Sequence, residues 1–549
     1  MKKTLTITIG LLGGWLLAAP QADACTNFMV SPGASADGSS MITYAADSHV
    51  LYGELYHTPA GSHAPGQLLD VHEWDTGKFM GRIPQVPRTY AVVGLMNEHQ
   101  VTIGETTYGG REELVSDQGV LDYGSLMFIT LQRAKTAREA VELMGALVAE
   151  HGYRSSGEAF TIGDPDEVWF MGMIGKGKGR KGAVWVARRV PDGSVSAHAN
   201  TVRIGTFPLN DQKNTLYSED VISFAREMKF FDGADADFSF TAAYAPMTWK
   251  DARICEARVW SFFRQVAPSL DLAPNFVDPK TAGEVTLPLW VKPDRKLTQR
   301  DLMHLMRDHF EGTPLDLSKG VGAGPYERPY RWRPLFWEVD GKKYTNERST
   351  ATQQTGFSFV AQMRKGLPGP IGGLFWFSVD DAASTVYVPM YAGIREAPWE
   401  YRVGNGDFET FTLDAAFWVF NWVANQAYGR YKDMIRDINV VQDELEGQFI
   451  ALQPEVDAAA LALWKESPEL ARDYLTAYSA RQAKKTVDRW RSLGAELFVR
   501  YLDGNVRDAR GEVTHPADPE HWYKRIIEDS GDHFLIRRLE GEPAEVESH

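Results

Sequence analysis

A cysteine at the head of a strand pair constrains this chain more than any other feature. Cys25 opens CTNFMV, Ser31-Pro32-Gly33 and Asp37-Gly38 supply turn residues, and SMITYA follows. Residues 25–46 are therefore predicted to form two strands around a turn. Upstream, Lys2 and Lys3 precede an apolar run from Ile7 to Ala19 that Gly10, Gly13 and Gly14 interrupt. Ala22-Asp23-Ala24 places small residues at the two positions a signal peptidase reads. Residues 1–24 are expected to be an export signal that signal peptidase cuts before Cys25. The alternative is a cut at Ala18-Ala19, leaving PQADA as a short propeptide that Cys25 itself removes. The expected location is periplasmic or secreted, in a bacterium.

No later stretch approaches ~20 apolar residues, so no stable membrane association is expected. The formal net charge is −15 over 549 residues, and it becomes −16 when the first 24, with two lysines and one aspartate, are lost. That balance argues against nucleic acid and anionic membrane surfaces as partners. Only two cysteines occur, Cys25 and Cys255, which excludes a disulfide framework. A single bridge between them stays open, although Cys255 in ARICEARVW reads as the apolar filler of a helix.

Along the chain, YAVVGLMNEHQVTIGETT (90–107) predicts two strands around Asn97-Glu98. Thr136 opens a helix with Glu139 as the partner of a capping box and Gly152 past its end. Residues 159–174 alternate like a strand, and 183–204 read as a hairpin around Pro191-Asp192-Gly193. Residues 205–300 are mixed, with proline-containing loops at 265–293. Strand character returns at 334–338 and 371–392. From Leu413 to Tyr501 the pattern is helical, broken at Pro454 and Pro468. Phe417, Phe420 and Trp422 form a core stripe there, and the tail GEPAEVESH is expected to be disordered. No internal repeat or low-complexity linker is present. These elements fit an α+β fold with stacked sheets, comprising a main domain over 25–430 and a helical C-terminal extension over 431–549 packed on it.

Other motifs carry no assignment. His49, His57, His63 and His72 cluster in the sequence but match no metal-ligand spacing, so no metal is assigned. GKGKGRKG (175–182) lacks phosphate-loop spacing and reads as a basic turn. No GxSxG elbow is present.

Three explanations of Cys25 compete. It could be acylated as a lipoprotein anchor, but Ala22 and Asp23 stand where that processing wants a larger aliphatic and a small uncharged residue. It could be a plain buried or bridged cysteine. Or it could be catalytic: once cut free, its thiol and its own α-amine belong to one residue. An α-amine with a reference pKa of about 7.7–8.0 can take the thiol proton. Such a site needs a carboxylate to hold the amine, and Asp47 follows on the paired strand. It needs amide donors for an oxyanion, and Asn97 and Asn200 lie at predicted strand ends.

Together these residues resemble peptidase family C69, the secernin-related dipeptidases among the N-terminal nucleophile hydrolases. The resemblance runs from CTNFMVSPGASADGSSMITYAADSH through GLMNEHQVTIGETT, GEAFTIGDPDEVWFMGMIGKG, SAHANTVRI and RVW (258–260) to FEGTPLD and LDAAFWVFNWVANQAY, thus from 25 to about 430. It implies a four-layer αββα sandwich, no cofactor, and hydrolysis of dipeptides or other small peptides. Cys25 matches the nucleophile, Asp47 the amine-binding aspartate and Asn200 the oxyanion asparagine. Asn97, or Glu105-Thr106, falls where a second oxyanion or substrate contact would lie. Arg258 is the candidate late arginine, with Arg253 its rival. Tyr44 stands where related acylases carry an arginine beside the cysteine, so thiol activation must differ. Gly172 replaces a residue that is often acidic. An amidase or acylase on N-acyl amino acids, and an exported binding lipoprotein anchored through Cys25, are the alternative functions.

Overall fold

The computed structural model describes residues 25–274, 287–331, 333–508 and 510–537. The expected export signal (1–24) and the acidic tail (541–549) lie outside the described residues. The strands of the two large sheets are, in chain order, β1 (Asn27–Val30), β2 (Ser40–Asp47), β3 (His57–Thr58), β4 (Val92–Val93), β5 (Met96–Asn97), β6 (Thr102–Gly109), β7 (Gly157–Gly163), β8 (Val168–Gly175), β9 (Ala183–Arg189), β10 (Val195–His198), β11 (Thr215–Tyr217), β12 (Trp290–Val291), β13 (Thr355–Met363), β14 (Gly373–Val379) and β15 (Val388–Tyr391). One sheet is ordered β12-β10-β1-β2-β13-β14-β15 and the other β11-β9-β8-β7-β6-β5-β4-β3. The helices that matter below are α1 (Tyr123–Leu131), α2 (Ala137–His151), α3 (Ala257–Val266), α4 (Ala416–Gly429), α5 (Tyr431–Glu466) and α6 (Pro468–Arg500).

Alternation along single strands shows how the sheets are covered. On β8, Trp169 faces α2, where Arg138 lies over its ring at 5.8 Å. The next residue, Phe170, faces the other sheet and stacks on His198 of β10 at 4.7 Å. On β1, Phe28 stacks on Phe262 of α3 at 4.2 Å, while Asn27 donates across the gap to the Glu105 carbonyl at 2.6 Å. The two sheets thus touch through Phe170, His198, Asn27 and Glu105, while α2 and α3 lie against the opposite-facing Trp169 and Phe28. With both faces buried, β7, β8, β13 and β14 are enclosed along their whole length. Gly104 permits the approach of the sheets, since a Cβ there would lie 2.4 Å from Asn27 Oδ1.

The C-terminal helices lie against the sheet that holds β1. Tyr391 of β15 packs on Tyr478 of α6 and donates to Asp457 of α5 at 2.8 Å. Arg307 pairs with Glu446 of α5 at 2.5 Å, and Arg364 with Asp457. No helix of the described residues is long and apolar enough to cross a membrane.

The local expectations fare unevenly. The strand pair around the turn forms as β1 and β2. Thr136 caps α2 by accepting from Glu139 N at 3.1 Å, but Glu139 turns back to Lys135 N instead of Thr136 N, so the capping box is not closed. Residues 159–174 are two strands, β7 and β8, because Asp164 accepts from the backbone of Asp166 and Glu167 and turns the chain. Residues 183–204 are not a hairpin: β9 and β10 belong to different sheets. The turn between them is tied to the other sheet, with Asp192 Oδ1 accepting from Gly33 N at 2.6 Å. Pro454 sits inside α5 and does not break it. It is exposed, so water can serve the carbonyl it leaves unbonded. Pro468 opens α6 at its first turn.

Candidate functional site

β1 and β2 bring the first site residues together. Thr26 and Ala45 exchange backbone hydrogen bonds at 3.0 and 3.3 Å, which sets Cys25 beside the end of β2. The thiol is buried, 4 % exposed. Its sulfur lies 3.6 Å from Glu105 Oε1 and 3.7 Å from Tyr44 Oη, and Tyr44 donates to that same Glu105 oxygen at 2.5 Å. Burial, then the charges of Glu105 and Asp47, push the thiol's pKa well up, against a hydrogen bond from the Asp47 backbone. The sulfur therefore keeps its proton until a base removes it.

Arg258 is the second anchor. It projects from α3 into full burial. Nη1 donates to the Cys25 carbonyl at 2.7 Å and to Thr26 Oγ1 at 2.9 Å, while Nη2 reaches Asn200 Oδ1 at 2.9 Å. Burial, then the nearby Arg348, lowers its pKa to about 10, so it remains a cation. Asn200 has a left-handed φ of 60°, and its Nδ2 donates to the Thr107 carbonyl at 2.7 Å. With its oxygen fixed by Arg258, the amide's orientation is set. The rival Arg253 pairs instead with Glu347.

Asp47 is 1 % exposed. Oδ2 accepts from Arg348 Nη2 at 2.7 Å, Oδ1 from Thr355 Oγ1 at 2.5 Å, and the backbone carbonyl from Gln354 at 3.1 Å. Burial raises its pKa, against Arg348 and Thr355. Arg348 and Thr355 were missed by the sequence reading. They stand about 300 residues from Asp47 in an ordinary polar stretch, with no spacing to mark them.

Two candidates are spent elsewhere. Asn97 donates to the carbonyls of Leu131 and Ala134 at 2.7 and 2.8 Å and accepts from the backbone of His99 and Val101, so it staples a turn. Thr106 Oγ1 lies 2.7 Å from His198 Nδ1, and Thr161 holds the other ring nitrogen at 2.7 Å. Thr106 thus serves the contact between the sheets. Gly172 is required by packing: a Cβ there would meet Val202 Cγ2 at 2.1 Å.

The remaining candidates resolve simply. Both cysteines are free, and burial lifts the Cys255 thiol to about 11. His49 accepts from Arg333 at 3.1 Å, His57 lies against the Ile394 carbonyl, and His63 against Thr89. Among the described residues no three metal-ligating side chains gather.

A buried thiol, an arginine-fixed asparagine and a buried aspartate form a site suited to acyl transfer. Comparison with known proteins points the same way. The profile of peptidase family C69 matches residues 63–444, which include Glu105, Asn200, Arg258 and Arg348. A probable dipeptidase of Salmonella dublin is 27 % identical over 417 residues, covering 72 % of this chain and 86 % of its own. A probable dipeptidase of Latilactobacillus sakei is 24 % identical, with coverages of 83 % and 93 %. Probable dipeptidase B of Streptococcus pyogenes serotype M1 is 23 % identical, with coverages of 86 % and 92 %. The chain belongs to peptidase family C69 and is a peptidase.

Proposed function

We propose that this protein is an exported cysteine-nucleophile dipeptidase of N-terminal nucleophile type, with a four-layer αββα body. The observation that carries the reading is the grip of Arg258 on Cys25 and Asn200 together. After cleavage before Cys25, its α-amine takes the thiol proton and the sulfur attacks the substrate carbonyl. The Asn200 side-chain amide and a backbone N–H hold the oxyanion. The ammonium returns its proton to the leaving amine, the C–N bond breaks, and water resolves the thioester. Asp47, held by Arg348 and Thr355, steadies the ammonium of the new terminus. In the uncut chain that nitrogen is an amide and no base, so the precursor is inactive. Cys25, Asp47, Asn200 and Arg258 carry the chemistry, and Tyr44 with Glu105 orients the thiol. No cofactor takes part.

The probable dipeptidases among its relatives support dipeptides as substrates. The test joins two measurements. Intact mass and N-terminal sequence of the exported protein should show a chain starting at Cys25 with no added mass. The processed protein should hydrolyse a dipeptide panel faster than N-acyl amino acids, and Cys25→Ala should abolish the activity. An acylated Cys25, or peptidase activity surviving in Cys25→Ala, would overturn the reading.

A further inference from the structure

Glu105 has a neighbour that the mechanism above leaves unused. Glu158, on β7, is 1 % exposed and sits opposite Thr107 in the register with β6, diagonal to Glu105. One of its oxygens accepts from Thr107 Oγ1 at 3.0 Å. One oxygen of Glu105 is likewise committed, to Tyr44 and the Cys25 thiol. The remaining oxygens, Glu105 Oε2 and Glu158 Oε2, are both buried, with no hydrogen-bond partner among the described residues. Diagonal neighbours on one buried face, the two carboxyl groups each leave one oxygen without a donor, which a proton held between them would supply. Two carboxylates in such contact cannot both be ionised, so the pair keeps a proton.

We propose that Glu158 is a positioning residue of the Cys25 site: it carries the one proton of this buried pair, donates it in a hydrogen bond to Glu105, and so keeps Glu105 an ionised acceptor for the Cys25 thiol and the Tyr44 hydroxyl. The inference rests on the reading of Cys25 as nucleophile. The assignment of the proton follows from the surroundings. Glu105 has two further donors, Tyr44 and Cys25, that favour its charged form, whereas Glu158 has the single hydroxyl of Thr107. The titratable groups facing the pair are Cys25 and Tyr44 from the first strand pair, Asp75 from the loop before β4, Tyr123 at the start of α1, Tyr108 on β6 and Tyr153 after α2. In keeping with this arrangement, burial raises Glu105 to about 7, against hydrogen bonds from Tyr44 first and then Glu158, and burial raises Glu158 well above the ordinary carboxylate range.

The test uses the processed full-length protein and two variants, Glu158→Gln and Glu158→Ala. Infrared spectra at pH 8 should show a protonated carboxyl band that is lost in Glu158→Gln; persistence of that band unchanged would overturn the proposal. In Glu158→Ala, Glu105 loses a donor, so the acid limb of kcat should move up by about one pH unit, with KM little changed. Glu158→Gln keeps a donor and should hold the limb near its original position. If both variants lose activity alike with the limb unmoved, the residue is merely structural and the proposal fails. If the protein cleaves no dipeptide at all, the infrared result still decides the proton's place, and only the reading of function falls.

Discussion

Arg348 Nη2 lies 2.7 Å from Asp47 Oδ2, and both side chains are all but sealed from solvent. A buried pair of this kind is costly to break from one side, because the surviving charge is left without compensation. Arg348→Met should therefore destabilise the fold by about 3–5 kcal/mol, measured by urea unfolding. The double variant Arg348→Met/Asp47→Asn should recover part of that stability while remaining inactive. Equal stability of the two would show that the pair is not an energetic unit.

Asn200 tests the oxyanion assignment. Its left-handed backbone tolerates glycine better than alanine. Asn200→Gly should keep the fold and lower kcat by about 100- to 1,000-fold, the loss of one oxyanion donor. Asn200→Ala should show the same catalytic loss plus a small drop in melting temperature. Near-normal kcat in Asn200→Gly would remove the residue from the mechanism.

Arg258 and Arg253 are separable. Arg258 spans the Cys25 carbonyl, Thr26 and Asn200 with one planar fork, a geometry that lysine cannot reproduce. Arg258→Lys should cut kcat by about 100-fold or more. Arg253→Ala breaks the pair with Glu347 and should leave kcat/KM within the same order of magnitude. Steady-state kinetics on one dipeptide decides between them.

A pH-dependent stability should trace to Glu105. Its folded pKa, about 7, lies above the ordinary carboxylate value. A group raised on folding contributes stability that is fully present below its unfolded pKa and lost as pH rises through the folded one. Stability should therefore fall between about pH 4.5 and 7 in the native protein. Glu105→Gln should flatten that part of the curve. An unchanged slope in the variant would assign it to other buried carboxyl groups such as Asp380, which burial raises to about 8.

What the sequence revealed of the site depended on where each residue's signal lay. Cys25 and Asp47 sit on one strand pair, so local pattern and motif resemblance found both. Asn200 and Arg258 were legible through short motifs around them. Arg348, Thr355 and Glu158 reach the site only through tertiary contact. Glu158 did leave one trace, a charge inside an otherwise apolar strand, GEAFTIG. Asn97 misled because an asparagine at a strand end makes turns as readily as it makes sites. The central strand β13, TGFSFVAQM, was not anticipated; it is covered on both faces and so lacks the alternation that marks a half-exposed strand. The crossing from β9 to β10 was hidden because a Pro-Asp-Gly turn looks the same whether it closes a hairpin or leads into another sheet.

The hold of Arg258 on the Cys25 carbonyl and Thr26 hydroxyl, with the backbone pairing of Thr26 to Ala45, all acts on atoms that follow the Cys25 nitrogen. None of these bonds passes through the peptide link to residue 24. Severing that link changes an amide into an amine and leaves the sulfur moored where it was. Under the proposed cleavage, activation would be a change of one functional group within a finished scaffold, with no refolding to accompany it.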